Sequence, residues 1–291
     1  MVSWNELVSE AQARFEKLEV PEPAVSARWI GRQATGADAA EWLEIADRPA
    51  TKRQVASFDR MVERRCEGEP LQYVLGSWGF RTLDLFVDRR VLIPRPETET
   101  VAERALAETD RALQESPDGV VVDLGTGSGA IGLAIAVERP GTEIWLTDVS
   151  AEALQVARAN LAGTGRAGGT VRLAEGDWFG ALPSELVDRV AVVVSNPPYV
   201  ASPDDLEPQV AAWEPISALV AEEAGTAHLV RLIDEAPRWL IATGSLVLEM
   251  APDQVDSMMD RAAERFEQIE QIDDLAGRAR GLVARFPRNG T

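Results

Sequence analysis

Residues 121–132 read Val121-Val122-Asp123-Leu124-Gly125-Thr126-Gly127-Ser128-Gly129-Ala130-Ile131-Gly132. That is a buried strand, a glycine-rich turn and the first turn of a helix. Glycines at such a turn allow positive φ and close approach of the backbone to a ligand. Asp148 stands 23 residues beyond Gly125, at the end of the next apolar strand, Ile144-Trp145-Leu146-Thr147. A carboxylate in that place can accept hydrogen bonds from both hydroxyls of a ribose. Working outward, strand patterns over 120–124, 143–147, 170–173, 190–194 and 245–248 alternate with helical patterns over 130–138, 151–161 and 226–240. Such alternation predicts an α/β domain with a mostly parallel, doubly wound sheet. Residues 267–273 and 281–286 are expected to close it as an antiparallel pair.

Two cofactors compete for the glycine loop. Residues 127–132 match G-x-G-x-x-G, so a nicotinamide dinucleotide fits the loop alone. S-adenosylmethionine is favoured by Asp123, whose carboxylate can help hold a positively charged amino-acid end. The turn also carries no basic residue for a pyrophosphate. Farther on, Gly176-Asp177-Trp178-Phe179 follows the strand near 173. Asp177 could accept the hydrogens of an adenine amino group, and Trp178 could stack on its ring.

The second informative stretch is Ser195-Asn196-Pro197-Pro198-Tyr199, directly after the apolar run 190–194. Each proline fixes φ and lacks an N–H, so the backbone offers carbonyl acceptors without competing donors. Asn196 adds a side-chain carbonyl, and Tyr199 can stack on a planar group. The combination suits an amide or an exocyclic base amine, and a hydride-transfer enzyme has no evident use for it. Asn196 and Pro197 are the candidate acceptors of the amine hydrogens. Pro198 stiffens the pocket, and Tyr199 completes it.

Upstream, residues 2–18, 26–35, 37–46 and 51–67 carry helical periodicity. They predict a small helical bundle without a catalytic constellation. Residues 78–80 and 83–87 predict a hairpin around Arg81-Thr82, followed by the stiff segment Leu92-Ile93-Pro94-Arg95-Pro96-Glu97-Thr98-Glu99. Arg95 is a candidate substrate contact or an ion-pair partner.

Composition narrows the partners. The formal net charge is −19, which disfavours non-specific binding to nucleic acid phosphates. The chain has one histidine, His228, and one cysteine, Cys66. A catalytic triad and a His/Cys metal cluster are therefore not expected, and Cys66 reads as a small core residue. No apolar run approaches the ~18 residues of a membrane span. A cytoplasmic location is expected.

These motifs carry a family likeness. Pro70-Leu71-Gln72-Tyr73-Val74-Leu75-Gly76, the 92–99 segment, the 123–129 loop, Gly176-Asp177-Trp178-Phe179 and Asn196-Pro197-Pro198-Tyr199 together resemble the peptide chain release factor glutamine methyltransferases. The likeness runs from about 70 to 286. Asn-Pro-Pro-Tyr alone is shared with methyltransferases acting on DNA adenine and ribosomal RNA guanine; the 92–99 segment narrows the match to protein-glutamine enzymes. The resemblance implies a class I S-adenosylmethionine-dependent methyltransferase, Rossmann-like, with a mostly parallel seven-stranded sheet. Its implied organisation is a helical substrate-recognition domain over 1–70, a β-hairpin linker over 71–96 and the methyltransferase domain over 97–291. It further implies that Gly125, Thr126, Gly127, Ser128, Gly129, Asp148 and Trp178 bind S-adenosylmethionine with Asn196 at its border; the residues themselves add Asp123 and Asp177. Asn196, Pro197, Pro198 and Tyr199 would meet the glutamine of a Gly-Gly-Gln loop, and a monomer is expected. One departure is Glu249-Met250-Ala251-Pro252-Asp253-Gln254, where the family often has Glu-x-Gly, so the contacts of that loop are left open. The rival readings are a nucleic-acid amino methyltransferase, a non-catalytic cofactor-binding ribosome-associated protein and a nicotinamide dehydrogenase.

Overall fold

The computed structural model describes residues 2–288; the ends of the expected domain ranges, 1 and 289–291, lie outside it. The chain divides into two compact units between Ser77 and Trp78.

The first unit is helical: α1 (Trp4–Lys17), α2 (Pro23–Thr35), α3 (Ala39–Ile45), α4 (Lys52–Cys66) and α5 (Leu71–Leu75). Ser3/Glu6, Asp38/Glu41 and Thr51/Gln54 form capping boxes that satisfy free N–H groups at the starts of α1, α3 and α4. Trp4, Phe15, Ile30, Trp42, Phe58 and Val62 share one core. The Trp4 ring meets Trp42 and Phe58 edge-on, at 6.1 and 5.8 Å between centroids. Arg65 is buried here and donates to Ser26 Oγ and to the carbonyls of Glu69 and Pro21. Cys66 lies half-buried against this core. The expected linker over 71–96 begins too early for this division. Leu71, Val74 and Leu75 bury into the helical core, so α5 belongs to the first unit.

At the division comes the hairpin of β1 (Ser77–Phe80), whose first residue closes the first unit, and β2 (Leu83–Phe86); the second unit continues with α6 (Thr98–Glu115). There follow β3 (Val120–Leu124), α7 (Ala130–Glu138), β4 (Ile144–Asp148), α8 (Ala151–Gly163), β5 (Val171–Glu175) and β6 (Val190–Ser195). The rest is α9 (Pro208–Trp213), α10 (Ala227–Glu235), β7 (Leu240–Glu249), α11 (Val255–Ala263), β8 (Phe266–Asp273) and β9 (Ala279–Pro287). Strands β3 to β9 form one seven-stranded sheet in the order β5-β4-β3-β6-β7-β9-β8. All pairs are parallel except β7–β9 and β8–β9.

β3 and β6 are apolar along nearly their whole length because both faces of the sheet are covered, the signature of a central parallel strand. From β3 the chain winds outward to β4 and β5, then returns to β6 and β7 on the other side. The reversal makes a topological switch point between β3 and β6, where such sheets bind ligands beyond the carboxyl ends of their strands.

Register determines what meets there. Leu124 pairs with Thr147 and with Ser195, and Ser195 pairs with Leu248. Gly125, Asp148, Asn196 and Glu249 each come one residue later, so four strands deliver them at one level. The buried Ser195 hydroxyl donates to the Leu124 carbonyl at 2.7 Å and ties the two strand ends at the switch point. Among the described residues no helix is long and apolar enough to cross a membrane, and no His/Cys/Asp/Glu group could hold a metal ion.

Candidate active site

A cavity of about 290 Å³ opens at the switch point, at the low end of the range for small-molecule sites. Of the residues singled out in the sequence, Arg95, Asp123, Gly125, Thr126, Gly127, Ser128, Asp148, Asp177, Trp178, Asn196 and Pro198 line it. Gly129, Pro197 and Tyr199 are not in its wall.

The glycine loop is held from below by Asp123. Its carboxylate, 1% exposed, accepts from Thr126 Oγ1 at 2.7 Å and from the Gly132 N–H at 2.9 Å. Burial pushes the Asp123 pKa up to about 6; the bonds from Thr126 and Gly132 pull it back, and nearby Asp148 raises it further. Gly132 is required by packing, since a Cβ there would stand 2.1 Å from the Leu146 side chain. Gly127 has φ +56°, and a Cβ there would meet nothing within 4 Å. That left-handed turn presents bare backbone to the space above the loop.

Asp148 is fixed from the side. Oδ2 accepts from the Gly127 N–H and Oδ1 from the Ser150 N–H, both at 2.9 Å. Ser150 in turn caps α8. Burial raises the Asp148 pKa, and those backbone bonds oppose it. A carboxylate has about four acceptor positions, so lone pairs stay open to the cavity.

The opposite wall comes from 176–178 and α10. Trp178 adopts φ +48° and lays its ring against Gly125, where an added Cβ would meet it at 3.3 Å. The His228 ring packs on Trp178 at 5.1 Å. His228 therefore lines the cavity; burial lowers its pKa, so at neutral pH it is a neutral ring. Asp177 is more exposed and bonds Arg231 of α10 at 2.6 Å.

Arg95 makes the ion pair that the sequence offered as one alternative. It bonds Glu214 at 2.6 Å, and Glu214 also accepts from the Ile93 N–H at 3.0 Å. The Glu214 side chain is 2% exposed, so the proline-rich segment is stapled to the turn after α9. Beyond it, the start of α6 places Thr98 under Asn196, whose Nδ2 donates to Thr98 Oγ1 at 3.2 Å.

Tyr199 packs against the core and donates to Glu249 Oε1 at 3.4 Å, while its own carbonyl accepts from Gln254 Nε2 at 3.0 Å. The open question of the 249–254 loop is thereby answered: Gln254 clamps the backbone just after the two prolines. Glu249 was missed in the sequence. It is 0% exposed at the end of β7, and its Oε2 has no hydrogen-bond partner. Burial pushes its pKa up to about 7; Glu97 adds to this, while the Thr98 hydroxyl, Arg280 and the Tyr199 hydroxyl hold it down.

A raised carboxyl pKa makes a signed prediction. The folded-state value near 7 exceeds the ordinary 4.5, so the native state binds the proton more tightly. Its stabilising contribution is complete below about pH 4.5 and is lost as pH rises through 7. Glu249→Gln does not titrate. Its stability relative to the parent chain is expected to improve by roughly 2–3 kcal/mol between about pH 5 and pH 8.5, read from urea unfolding at both values.

A seven-stranded sheet of this order, with a glycine loop and an acidic strand end on one side of the switch point and Asn-Pro-Pro-Tyr on the other, defines a class I methyltransferase. The hMettl16 catalytic domain in complex with MAT2A 3'UTR hairpin 1 has the same fold, with a TM-score of 0.54 at 13% identity over 82% of each chain. Residues 6–76 match the PrmC N-terminal domain, and 103–213 the methyltransferase small domain. The release factor glutamine methyltransferase of Xylella fastidiosa is 38% identical over 97% of both chains. Those of Burkholderia pseudomallei and Escherichia coli are 38% and 32% identical, over 92% and 97% of this chain and 93% and 97% of theirs. This chain belongs to the release factor glutamine methyltransferase family.

Proposed function

We propose that the protein transfers a methyl group from S-adenosylmethionine to the side-chain amide nitrogen of the glutamine in the Gly-Gly-Gln loop of peptide chain release factors. One observation carries the reading: the register of β3, β4 and β6 brings the glycine loop, Asp148 and Asn196 to one cavity, in a chain 38% identical to such an enzyme over nearly its whole length.

The residues present fit the donor. Gly127 offers a backbone cradle with space above it, and Asp148 keeps acceptor positions for a pair of ribose hydroxyls. Trp178 supplies a flat wall, and Asp177 a carboxylate at the rim. Asp123 acts chiefly from beneath, by holding Thr126 and Gly132. When bound, S-adenosylmethionine supplies an electrophilic methyl group on a sulfonium. Asp123, Gly125, Thr126, Gly127, Ser128, Gly129, Asp148, Asp177 and Trp178 are its proposed binding residues, with Asn196 at the border.

The acceptor is a weak nucleophile, because an amide nitrogen delocalises its lone pair into the carbonyl. Asn196 Oδ1 and the Pro197 carbonyl would accept its two hydrogens and set the orientation of the nitrogen. Two carbonyl dipoles also become better partners as the N–H groups gain positive charge, which is stabilisation specific to the transition state. Holding the reactants aligned contributes several kcal/mol more. No strong base is required beforehand, since the nitrogen becomes acidic during transfer; this suits a neutral His228 and a cavity without another imidazole. Pro198 lines the pocket, Tyr199 stiffens it from the core side, and Arg95 is held where it can meet substrate.

The net charge of −19 favours a protein substrate over nucleic acid. The helical unit is assigned to substrate recognition, and a cytoplasmic monomer fits a role in translation termination. The test is labelled S-adenosylmethionine with release factor, a release factor lacking the loop glutamine, DNA and ribosomal RNA in parallel. Label on the intact release factor alone is expected. Label on the glutamine variant or on nucleic acid alone would overturn the assignment.

A further inference from the structure

Two segments far apart in the chain meet at the cavity beside Asn196 and Pro198. One is the strap 87–97, which joins β2 to α6 and sends Arg89 and Arg95 to the cavity wall. The other is the excursion 200–220, which directly follows Tyr199 and contributes Pro215 and Ser217. Its base is closed where the Val200 N–H donates to the Leu219 carbonyl at 2.8 Å and the Ala221 N–H to the Val200 carbonyl at 3.0 Å.

Glu214 clasps the two together. Its Oε1 accepts from Arg95 Nη2 at 2.6 Å, and its Oε2 accepts from the Ile93 N–H at 3.0 Å. Next to it, the Trp213 ring carries the Arg89 guanidinium 5.1 Å above its centroid. Both backbones are stiff. Pro94 and Pro96 flank Arg95, and Pro215 holds Glu214 extended, at φ −92° and ψ 151°. The Glu214 side chain is 2% exposed and is not in the cavity wall. It can therefore reach a bound molecule only through what it holds.

What it holds is a cation with donors left over. A guanidinium has five N–H donors, and Glu214 is bonded at Nη2 alone. Arg95 is 29% exposed and lines the cavity. In the proposed grip on the substrate, Asn196 Oδ1 and the Pro197 carbonyl take the two amide hydrogens, and both are acceptors. The same amide, and the peptide links beside it, bring carbonyl oxygens that lose water on entering the cavity and need a donor.

We propose that Glu214 is a positioning residue for the acceptor: it holds Arg95 so that a guanidinium N–H meets a carbonyl oxygen of the segment bearing the substrate glutamine. This rests on the acceptor site given under Proposed function. Such a bond forms on binding and persists through methyl transfer. It is uniform binding, so its loss raises KM and leaves kcat nearly unchanged.

The experiment measures kcat and KM for a release factor, and the Kd of S-adenosylmethionine, in Glu214→Ala, Glu214→Gln, Arg95→Ala and the Arg95→Ala/Glu214→Ala pair. Glu214→Ala is expected to raise KM about 10–30-fold, the scale of one hydrogen bond to a charged group, with kcat within about threefold and donor Kd within about twofold. Glu214→Gln keeps an acceptor oxygen without the charge and should raise KM about 3–5-fold. Arg95→Ala should raise KM at least as much as Glu214→Ala. The pair should match Arg95→Ala within about twofold, because Glu214 acts through Arg95.

A KM within about twofold of the parent chain in Glu214→Ala overturns the proposal. So does a loss confined to kcat, or a pair whose losses multiply. A purely structural role would lower stability in urea and the active fraction, which scales kcat and leaves KM in place. If Glu214→Ala fails to fold, Glu214→Gln and Arg95→Ala decide, since KM must rise in both with kcat held. A parent chain that methylates no release factor sinks the functional reading and this proposal with it. A parent that does so, while the Glu214 variants keep its KM, sinks this proposal alone.

Discussion

Asn196→Ala is expected to lower kcat by about 10³-fold while leaving S-adenosylmethionine affinity within about threefold. The asymmetry follows from position. Asn196 stands at the end of β6, one residue beyond the Ser195–Leu124 tie, and its Nδ2 is already engaged by Thr98. In the proposed mechanism its remaining carbonyl would be the side-chain acceptor offered to the substrate amide. Removing it withdraws a dipole that strengthens as charge develops, an effect confined to the transition state. On the proposed reading the donor would rest instead on the loop, Asp148 and Trp178. Single-turnover methyl transfer with titration calorimetry of the donor separates the two quantities. Near-normal turnover would refute the role given to Asn196.

Asp148→Ala is expected to show the reverse pattern: donor Kd rises by about 10²–10³-fold, and kcat at saturating donor stays within about fivefold. Two causes combine. In the proposed binding mode the side chain would accept from the ribose hydroxyls, and hydrogen bonds to a charged group are worth about 1.5–3 kcal/mol each. It also receives the N–H groups of Gly127 and Ser150, so its loss would loosen the glycine turn proposed to cradle the donor. Asp148→Asn keeps shape and one acceptor and should lie between the two. Titration calorimetry with S-adenosylmethionine measures all three proteins. Unchanged donor affinity in Asp148→Ala would place the donor elsewhere.

Most of the sheet was legible in the sequence because its central strands are buried on both faces and so appear as continuous valine-rich runs. β3 was read with its observed ends, 120–124, and β6 within one residue. β7 was read short: 245–248 captured its apolar end, but Ala242, Thr243 and Gly244 hid the earlier part of Leu240–Glu249. At 71–75 the sequence pointed to a linker, and tertiary burial of Leu71, Val74 and Leu75 made a helix instead.

The site divides along similar lines. Residues next to a glycine turn or a strand end could be found locally, as with Asp123, Asp148 and Asn196. Residues that meet only through topology could not. Tyr199 and Glu249 are 50 positions apart and come together because β7 lies beside β6. Arg95 and Glu214 are 119 positions apart in sequence. His228 reaches the cavity only because α10 brings it against Trp178. The one sequence signal for Glu249 was an acidic residue closing an apolar strand beside the departing loop.

The most direct test of the account is mass spectrometry of the peptide bearing the Gly-Gly-Gln loop, after the purified protein has acted on a release factor with S-adenosylmethionine. A single methyl group on the side-chain amide of the loop glutamine, absent when Asn196→Ala is used, is the predicted result. An unmodified glutamine under conditions where the donor is bound would contradict it.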